Sequence, residues 1–228
     1  MNYTGWELHN FDKANLFRTY QFHLIKKSIR GNILEVGPGN CIYLKAYSDL
    51  GKNITLIEPT RKYFNNLIKK KKNNKRIKIK KNTNNLKNNS FDTILYLDVL
   101  EHIKDDLSEI KKAYKLLKKN GTLIICVPAF QFLYTMYDKK IGHYRRYDKA
   151  SFHLLLKKCK IKSFKMRYFD FIGFFLILIS KIIFKGSIKN FSFKIKIWDM
   201  FIPVSFFLDF ILMRFFFGKS LLVKIKKS

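Results

Sequence analysis

The sequence predicts an α/β fold in which helices cover both faces of a doubly wound, mostly parallel sheet. Short apolar runs rich in Ile, Leu and Val alternate with stretches of helical periodicity, and turn residues separate them. The chain has 228 residues, of which 47% are hydrophobic. It is therefore long enough for one such domain with a sizeable core, and it is too apolar to be disordered.

The predicted elements follow one another in the order that such a sheet requires. A first amphipathic helix covers residues 11–30, with Asp12 as its N-cap. Strands are predicted at residues 32–36, 54–57, 77–79, 91–97 and 123–127. Helices between them are predicted to end at residue 50 and to cover residues 60–72 and 106–119. The turn Asn120-Gly121 is predicted to open the fifth strand.

The last quarter of the chain has a different composition. Residues 168–184 and 197–217 are dense in Phe, Ile and Leu, but charged residues or proline interrupt each of them. A membrane-spanning helix needs about 20 mostly apolar residues. We therefore expect helices that lie in a membrane interface or pack together as a lid. Residues 220–225 alternate like a strand and are expected to return to the sheet.

Charge is the unusual feature of the composition. Lys and Arg number 46 and Asp and Glu number 16, which gives a formal net charge of +30. This surplus suits an anionic lipid surface or a nucleic acid, and a general bias towards Lys, Asn, Ile and Phe explains it equally well. No aromatic residue lies among the lysines of residues 69–81, which argues against a nucleic-acid groove there.

Cysteine usage and the N-terminus bear on the compartment. The three cysteines, at positions 41, 126 and 159, are widely spaced, so neither a disulfide framework nor a zinc site is predicted, and no metal is expected. The first residues lack an apolar run behind basic ones, which argues against a secretory signal. We expect a cytoplasmic protein, with a peripheral position at the inner face of the cell membrane left open.

The turn after the first strand is the first candidate ligand site. Glu35, Gly37 and Gly39 lie where a strand passes into a helix, and glycine there lets the backbone approach a ligand closely. A full dinucleotide fingerprint needs glycine where this chain has Ile42, so a pyrophosphate cofactor is disfavoured. Glu58 ends the second strand, where a carboxylate can accept two hydrogen bonds from a ribose diol. The pattern indicates a nucleoside ligand.

Residues 30–130 resemble the class I S-adenosylmethionine-dependent methyltransferases. Four segments match motifs of that family in order: ILEVGPGN at 33–40, LIEP at 56–59, FDTILYLDVLEHIKDD at 91–106 and LLKKNGTLIICVPA at 116–129. The resemblance implies a Rossmann-like, seven-stranded sheet and S-adenosyl-L-methionine as cofactor. It assigns seven residues to cofactor binding: Glu35, Gly37, Gly39, Glu58, Thr83, Asn84 and Asp98.

Two positions depart from the pattern of that family. Cys41 stands where the family's loop usually has a third glycine, and its side chain is expected to narrow the pocket for the methionine part. The run Asn-Thr-Asn-Asn at 82–85 replaces the acid that usually contacts adenine. Asparagine can still accept a hydrogen bond from the adenine amino group through its carbonyl oxygen.

Residues 134–152 (YTMYDKKIGHYRRYDKASF) resemble the D…GHxRRY segment of a bacterial subgroup that often accompanies glycosyltransferases. This likeness spans nearly the whole chain and implies that residues 1–228 form one methyltransferase domain, with its sixth strand at 164–168. The implied parts are an N-terminal helical cap at 1–31, a cofactor-binding core at 32–168, an apolar helical insertion, membrane-facing or a lid, at 169–218 and a final strand at 219–228.

The same segment holds candidate residues for the chemistry. His143 is the predicted catalytic base, because an unperturbed imidazole can be neutral at cellular pH. Arg145 and Arg146 are predicted to clamp a phosphate or carboxylate of the acceptor, since guanidinium groups bind such groups bidentately. Asp138 is predicted to orient His143 or to pair with an arginine, and Tyr147 to join the acceptor site. The alternative is a structural ion-pair latch over the cofactor.

The other histidines carry weaker signals. His102, which follows Glu101 in the fourth-strand motif, is interpreted as a positioning residue and not as a base. His23 and His153 lack any local partner pattern and are interpreted as surface or packing residues.

The leading hypothesis is methyl transfer from S-adenosyl-L-methionine to a small or lipid-linked acceptor at the membrane surface, in cell-envelope glycan or lipid biosynthesis. The expected partners are this acceptor and an anionic membrane surface, and nucleic acid is not expected. An RNA methyltransferase and a non-catalytic cofactor-binding module are the alternatives. The sequence does not identify the acceptor, the methylated atom or the oligomeric state.

Overall fold

A computed structural model describes residues 11–184, 190–211 and 215–228. They contain one seven-stranded sheet, with the order β3-β2-β1-β4-β5-β7-β6. Strand β7 is antiparallel to β5 and β6, and the other pairs are parallel. This confirms the predicted sheet. Its strands are β1 (Gly31–Val36), β2 (Gly51–Ile57), β3 (Ile77–Lys80), β4 (Phe91–Leu97), β5 (Leu117–Pro128), β6 (Phe164–Phe169) and β7 (Ser220–Lys226).

Helices cover both faces of this sheet. The described helices are α1 (Asn15–Ile25), α2 (Leu44–Leu50), α3 (Arg61–Lys71), α4 (Asp106–Leu116), α5 (Met136–Ile141), α6 (Lys149–Lys158), α7 (Phe171–Phe184), α8 (Phe191–Met200) and α9 (Ile202–Ile211). Ile110 of α4 and Phe152 of α6 belong to one buried cluster, and Phe17 of α1 and Trp198 of α8 belong to the other. Successive strand residues alternate between the two clusters, as a sheet buried on both faces requires.

The strand order reverses beside β1, which lies between β2 and β4. In an open parallel sheet, the crevice at such a switch point, outside the carboxyl ends of the strands, is where ligands bind. The backbone of Gly37 joins two of these ends, because its N–H donates to the carbonyl of Ile57 at 2.8 Å. Glu58 and Asp98 follow β2 and β4 at the same edge.

Two predicted boundaries are wrong for local reasons. Asp12 does not cap the first helix, which begins at Asn15; its carboxylate accepts a hydrogen bond from Asn40 Nδ2 at 2.5 Å. The helix between β4 and β5 ends at Leu116, earlier than predicted. The backbone becomes extended at Leu117 and pairs there with β4. Asn120 takes a left-handed conformation (φ +61°) inside β5, next to a register shift, so its turn-like sequence marks a bulge.

The helices α7, α8 and α9 lie between β6 and β7, in the region predicted as an apolar helical insertion. None of the helices in the described part of the chain is long and apolar enough to cross a membrane. Residues 185–189 and 212–214 of that region, and residues 1–10 of the predicted cap, lie outside the described residues. Large apolar side chains are exposed on these helices, among them Ile182, Phe193, Met200, Phe207 and Phe210.

Candidate functional site

A cavity of about 280 Å³ opens at the carboxyl ends of β1, β2 and β4, and we call it the first cavity. Most of the residues predicted to bind the cofactor line it: Glu35, Gly37, Gly39, Glu58 and Asp98. Thr83 and Asn84 lie in the turn after β3 and are not part of this lining. Their contact with a cofactor stays a prediction.

The glycine loop and Glu58 form the floor of the first cavity. Gly37 and Gly39 have left-handed backbones (φ +68° and +53°), and a Cβ on Gly37 would lie 2.7 Å from Val99 Cγ2. The Glu58 carboxylate accepts hydrogen bonds from the N–H groups of Gly39 (3.0 Å) and Thr60 (2.9 Å). Burial raises the pKa of Glu58, and these donors oppose the rise. Each oxygen keeps a lone pair that a ribose hydroxyl could use.

Glu35 is buried beneath the same loop. Its carboxylate accepts hydrogen bonds from the Tyr47 hydroxyl at 3.2 Å and the Cys41 thiol at 3.3 Å. Burial raises the pKa of Glu35 to about 7, although both donors act against that rise. Cys41 adopts a left-handed backbone (φ +45°). Its side chain is directed to Glu35 and is not part of the cavity lining, so the expected narrowing of the pocket is wrong.

Helix α1 contributes residues that sequence reasoning missed. Gln21 Nε2 donates to Asp98 Oδ2 at 3.2 Å, and the Tyr43 hydroxyl donates to Gln21 Oε1 at 2.8 Å. Arg18 Nη1 lies 3.8 Å from the Asp98 carboxylate. Asp98 itself has a left-handed backbone (φ +57°), a conformation that costs energy in a non-glycine residue and is concentrated at functional sites. No local motif in α1 signals these contacts, because packing alone creates them.

A second cavity of about 380 Å³ adjoins the first. Arg18, Asp98 and His102 line both cavities. The second cavity is polar where it adjoins the first, whereas α7 and α8 contribute apolar residues to its wall that include Leu176, Ile177, Ile195 and Trp198. Ligands bound in the two cavities would therefore meet beside Asp98 and His102.

Asp138, His143 and Arg146 come together in the polar part of the second cavity. His143 Nδ1 donates to Asp138 Oδ1 at 2.8 Å, and Arg146 donates to both oxygens of Asp138 at 2.9 and 3.0 Å. Burial alone would raise the pKa of Asp138, but the bonds from His143 and Arg146 lower it below its ordinary range. Asp138 thus both orients His143 and pairs with an arginine, the two roles that the sequence left open.

Arg145 and Tyr147 lie outside the lining of the second cavity. Arg145 Nη1 is 2.6 Å from Asp106 Oδ2, and the Tyr147 hydroxyl donates to the same oxygen at 2.9 Å. This arrangement anchors the segment to the start of α4 through an ion pair, and the alternative interpretation of a latch over the cofactor stays a prediction. The predicted acceptor contacts of these two residues stay predictions.

Two further charged residues of the second cavity were not predicted to act. The Lys219 ammonium lies 3.9 Å from the ring centroid of Trp198 and 4.5 Å from that of Phe17, at the cavity wall. Glu101 is 1% exposed, and its burial, followed by the charge of Asp98, raises its pKa well above the ordinary value. Glu101 belongs to the fourth-strand motif and could have been proposed from it, whereas no sequence signal identifies Lys219.

The sheet order, with an antiparallel seventh strand between β5 and β6, and the glycine-loop cavity define the class of this protein. It is a class I S-adenosylmethionine-dependent methyltransferase, and S-adenosyl-L-methionine is the cofactor of that class. A family model described as a methyltransferase domain matches residues 8–159. The chain belongs to that family.

Individual relatives agree with this assignment. The chain is 30% identical over 129 residues to a ubiquinone biosynthesis O-methyltransferase of Pelagibacter ubique (strain HTCC1062), covering 52% of this chain and 54% of that protein. The chain thus spans about half the length of the curated relative it matches.

Solved structures share the fold. A S-adenosylmethionine-dependent methyltransferase from Archaeoglobus fulgidus has a TM-score of 0.64 at 13% identity, with 100% of both chains covered. Phosphoethanolamine N-methyltransferase 2 of Haemonchus contortus, in complex with S-adenosyl-L-methionine, has a TM-score of 0.66 at 15% identity, with 99% of this chain and 58% of that chain covered. The finer resemblance to the D…GHxRRY subgroup stays a prediction.

Proposed function

We propose that this methyltransferase acts on an amphipathic, lipid-linked acceptor at an anionic membrane surface. The observation that carries the proposal is the lining of the second cavity, which is polar where it adjoins the first cavity and apolar along α7 and α8. An acceptor with a polar head and a long apolar tail matches both parts.

The first cavity fits S-adenosyl-L-methionine by its donor and acceptor groups. Gly37 and Gly39 leave the backbone open to a ligand, and Glu58 offers lone pairs to the ribose hydroxyls. Arg18 Nε is buried without a hydrogen-bond partner in the described part of the chain. The carboxylate of the methionine part is a group that would satisfy it. When bound, this cofactor supplies an electrophilic methyl group.

Residues of the second cavity would act on the acceptor. We propose that His143 promotes loss of the proton from the acceptor's nucleophile, because Asp138 accepts the Nδ1 proton, which leaves the lone pair on Nε2, and His143 lines the second cavity. Arg146 is engaged by Asp138 and Arg145 by Asp106. Lys219 is therefore the cation that we assign to a phosphate or carboxylate group of the acceptor. The apolar walls exclude water from the reacting groups.

The helices α8 and α9 would hold the enzyme at the membrane. Phe207 and Phe210 are 61% and 71% exposed, and Phe193 is 63% exposed. Burying one such side chain contributes about 1.5–3 kcal/mol, and exposed apolar patches of this kind mark interaction surfaces. The net charge of +30 is complementary to anionic lipid headgroups, which attract Lys and Arg near the surface.

The chemical nature of the acceptor follows from the same features. The curated relative is named as an O-methyltransferase of ubiquinone biosynthesis, which supports an oxygen nucleophile. A lipid, a quinone-like molecule or a lipid-linked sugar would satisfy the cavity, and cell-envelope glycan or lipid biosynthesis is the setting that we propose.

The proposal is tested by following the transferred methyl group. The chain is incubated with methyl-labelled S-adenosyl-L-methionine and bacterial membrane lipids, and the label is measured in the organic phase. In parallel, the protein is sedimented with phosphatidylglycerol vesicles and with neutral phosphatidylcholine vesicles. We expect labelled lipid and binding to the anionic vesicles at low salt. Protein that stays in the supernatant, or label that appears only in added RNA, would contradict the proposal.

A further inference from the structure

Three side chains of the second cavity have the spacing of metal ligands. One ligand atom each of Glu101, His102 and His143 lies within 4.8 Å of the others. Glu101 Oε1 is 3.7 Å from His143 Nε2, which is too long for a hydrogen bond. Two ligands of one zinc ion, each about 2.1 Å from it, lie roughly 3.4 Å apart at a tetrahedral angle. The observed separation is close to that value.

Glu101 has an unsatisfied oxygen at this point. Its Oε2 is buried and has no hydrogen-bond partner within the described residues. A buried carboxylate oxygen without a partner is costly unless a proton or a cation satisfies it. Arg146 is a nearby cation, but it donates to both oxygens of Asp138. Glu101 Oε2 is therefore left without a hydrogen-bond donor among the described residues.

Asp138 prepares His143 for ligation. Because the Asp138 carboxylate accepts the Nδ1 proton, the lone pair of His143 lies on Nε2, which is the nitrogen nearer to Glu101. Metal-binding histidines almost always donate their other N–H in this way to a carboxylate or carbonyl. Asp138 is itself held by Arg146 and by the N–H and hydroxyl of Thr135. The hydrogen bonds that would orient a metal-binding histidine are thus already present.

Acidic side chains gather at this point of a strongly basic chain. Three of only 16 acidic residues, Asp98, Glu101 and Asp138, gather here in a protein with a net charge of +30. Arg18 lies 3.8 Å from the Asp98 carboxylate and Arg146 donates to Asp138, whereas Glu101 has no arginine or lysine within 4.0 Å among the described residues. A divalent cation beside Glu101 would supply that partner.

We propose that Glu101, His102 and His143 bind a zinc ion with an open position towards the second cavity. Two imidazoles and one carboxylate are a known donor set for catalytic zinc, whereas magnesium prefers oxygen ligands. An acceptor hydroxyl that reached the ion would release its proton to solvent more readily. The purpose of the site rests on the proposed function, because His143 would promote proton loss through the bound ion. Whether the ion binds does not depend on the proposed function.

Metal binding to the full, tag-free chain tests the proposal. The protein is stripped with a chelator and titrated with Zn²⁺ in competition with a chromophoric chelator, and Co²⁺ is used for its visible absorption spectrum. We expect one ion per chain and a four-coordinate cobalt spectrum. Glu101→Gln and His143→Ala are expected to weaken binding by more than about 100-fold, and Asp138→Asn by about 10- to 100-fold. Each variant's thermal unfolding establishes that it is folded.

His153→Ala is the matched control, because the His153 ring packs against Phe164 and is remote from the cluster in the fold. It should leave the stoichiometry and affinity unchanged. A chain that binds no zinc, or whose Glu101→Gln and His143→Ala variants bind as well as the control, would overturn the proposal. Methyl transfer to lipid that persists in chelator would then leave the proposed function standing. Zinc binding without any methyl transfer would contradict the proposed function and leave the metal site standing.

Discussion

The two cavities of this enzyme are built in different ways. The first is lined mainly by segments at the ends of strands of the parallel sheet, among them the glycine loop. The second gathers side chains from segments between Phe11 and Ser220, and helices packed outside the sheet form much of its wall. A site at strand ends leaves short motifs in the sequence, whereas a site made by packing distant segments does not.

The cavities also differ in how their buried charges are satisfied. Glu35 and Glu58, in the first cavity, receive only neutral donors and have raised pKa values. In the second cavity, Asp138 is fully paired by Arg146 and His143. A ligand that donates hydrogen bonds would therefore stabilise the carboxylates of the first cavity. The second cavity pairs Asp138 internally, but it leaves Glu101 Oε2 and Arg18 Nε without hydrogen-bond partners among the described residues.

The largest expected effect is a loss of cofactor affinity in Gly37→Val. The new side chain would meet Val99 and would have to adopt a left-handed backbone, a combined cost of about 4 kcal/mol or roughly 1000-fold in affinity. Calorimetric titration with S-adenosylhomocysteine measures it. Gly142→Ala is the control, because Gly142 is also left-handed (φ +85°) but a Cβ there has ordinary space near His102. Equal losses in both variants would remove the distinction between the cavities.

His143→Ala should impair the second cavity and leave the first unaffected. We expect the rate of methyl transfer to fall by about 10²- to 10³-fold, because the residue that promotes proton loss is absent. Affinity for S-adenosylhomocysteine should change by less than about twofold, since His143 lines only the second cavity. His153→Ala should retain both properties. A joint loss of cofactor affinity and rate would show that the cavities are not independent.

Glu35→Gln should change the pH dependence of stability. Burial raises the pKa of Glu35 in the folded state from 4.5 to about 7, so the folded state binds the proton more tightly than the unfolded state. The wild-type free energy of unfolding should therefore fall as the pH rises from about 4.5 to 7, by up to about 3 kcal/mol. The neutral variant lacks this fall.

Urea unfolding of the cofactor-free proteins at a series of pH values measures the difference. The variant should be the more stable protein above pH 7, and the two curves should converge near pH 4.5. A difference that does not depend on pH would mean that Glu35 is not the buried group responsible.

The smallest effect is expected at the exposed apolar surface. Phe210→Ser should weaken binding to phosphatidylglycerol vesicles by about tenfold, because it removes one aromatic side chain worth about 1.5 kcal/mol or more. Cosedimentation measures it. Leu154→Ser is the matched control, since Leu154 is 60% exposed on α6 and belongs to another surface. If both variants lose equally, α9 is not the membrane-facing helix.

The parts of the fold that the sequence predicted are those with local causes. Strands β1 to β5 follow from short apolar runs and β7 from its alternation, whereas β6 was implied by the family resemblance. The loop at Gly37 and Gly39 follows from the conformational freedom that a strand-to-helix turn requires. The failures also have local causes. The Asn120-Gly121 signal was interpreted as a turn, but a strand can absorb a left-handed residue in a bulge.

The residues that sequence reasoning missed act through long-range packing. Arg18 and Lys219 come from opposite ends of the chain, yet both line the second cavity. Glu101, His102 and His143 carry no ligand spacing along the sequence, so no metal was expected. Their proximity depends on how the segment after β5 returns over β4, where the N–H of Tyr144 donates to the carbonyl of Glu101 at 2.8 Å.

By itself, the sequence determined the mostly parallel sheet and the carboxylate of Glu58 beside the glycine loop. These features arise from hydrophobic periodicity and backbone conformation, which neighbouring residues decide. Only the tertiary structure decided which charges are paired, which side chains form the second cavity and where Glu101 meets the histidines. The physical reason is that burial and charge pairing depend on distances in space, and segments far apart along the chain meet only when the fold is complete.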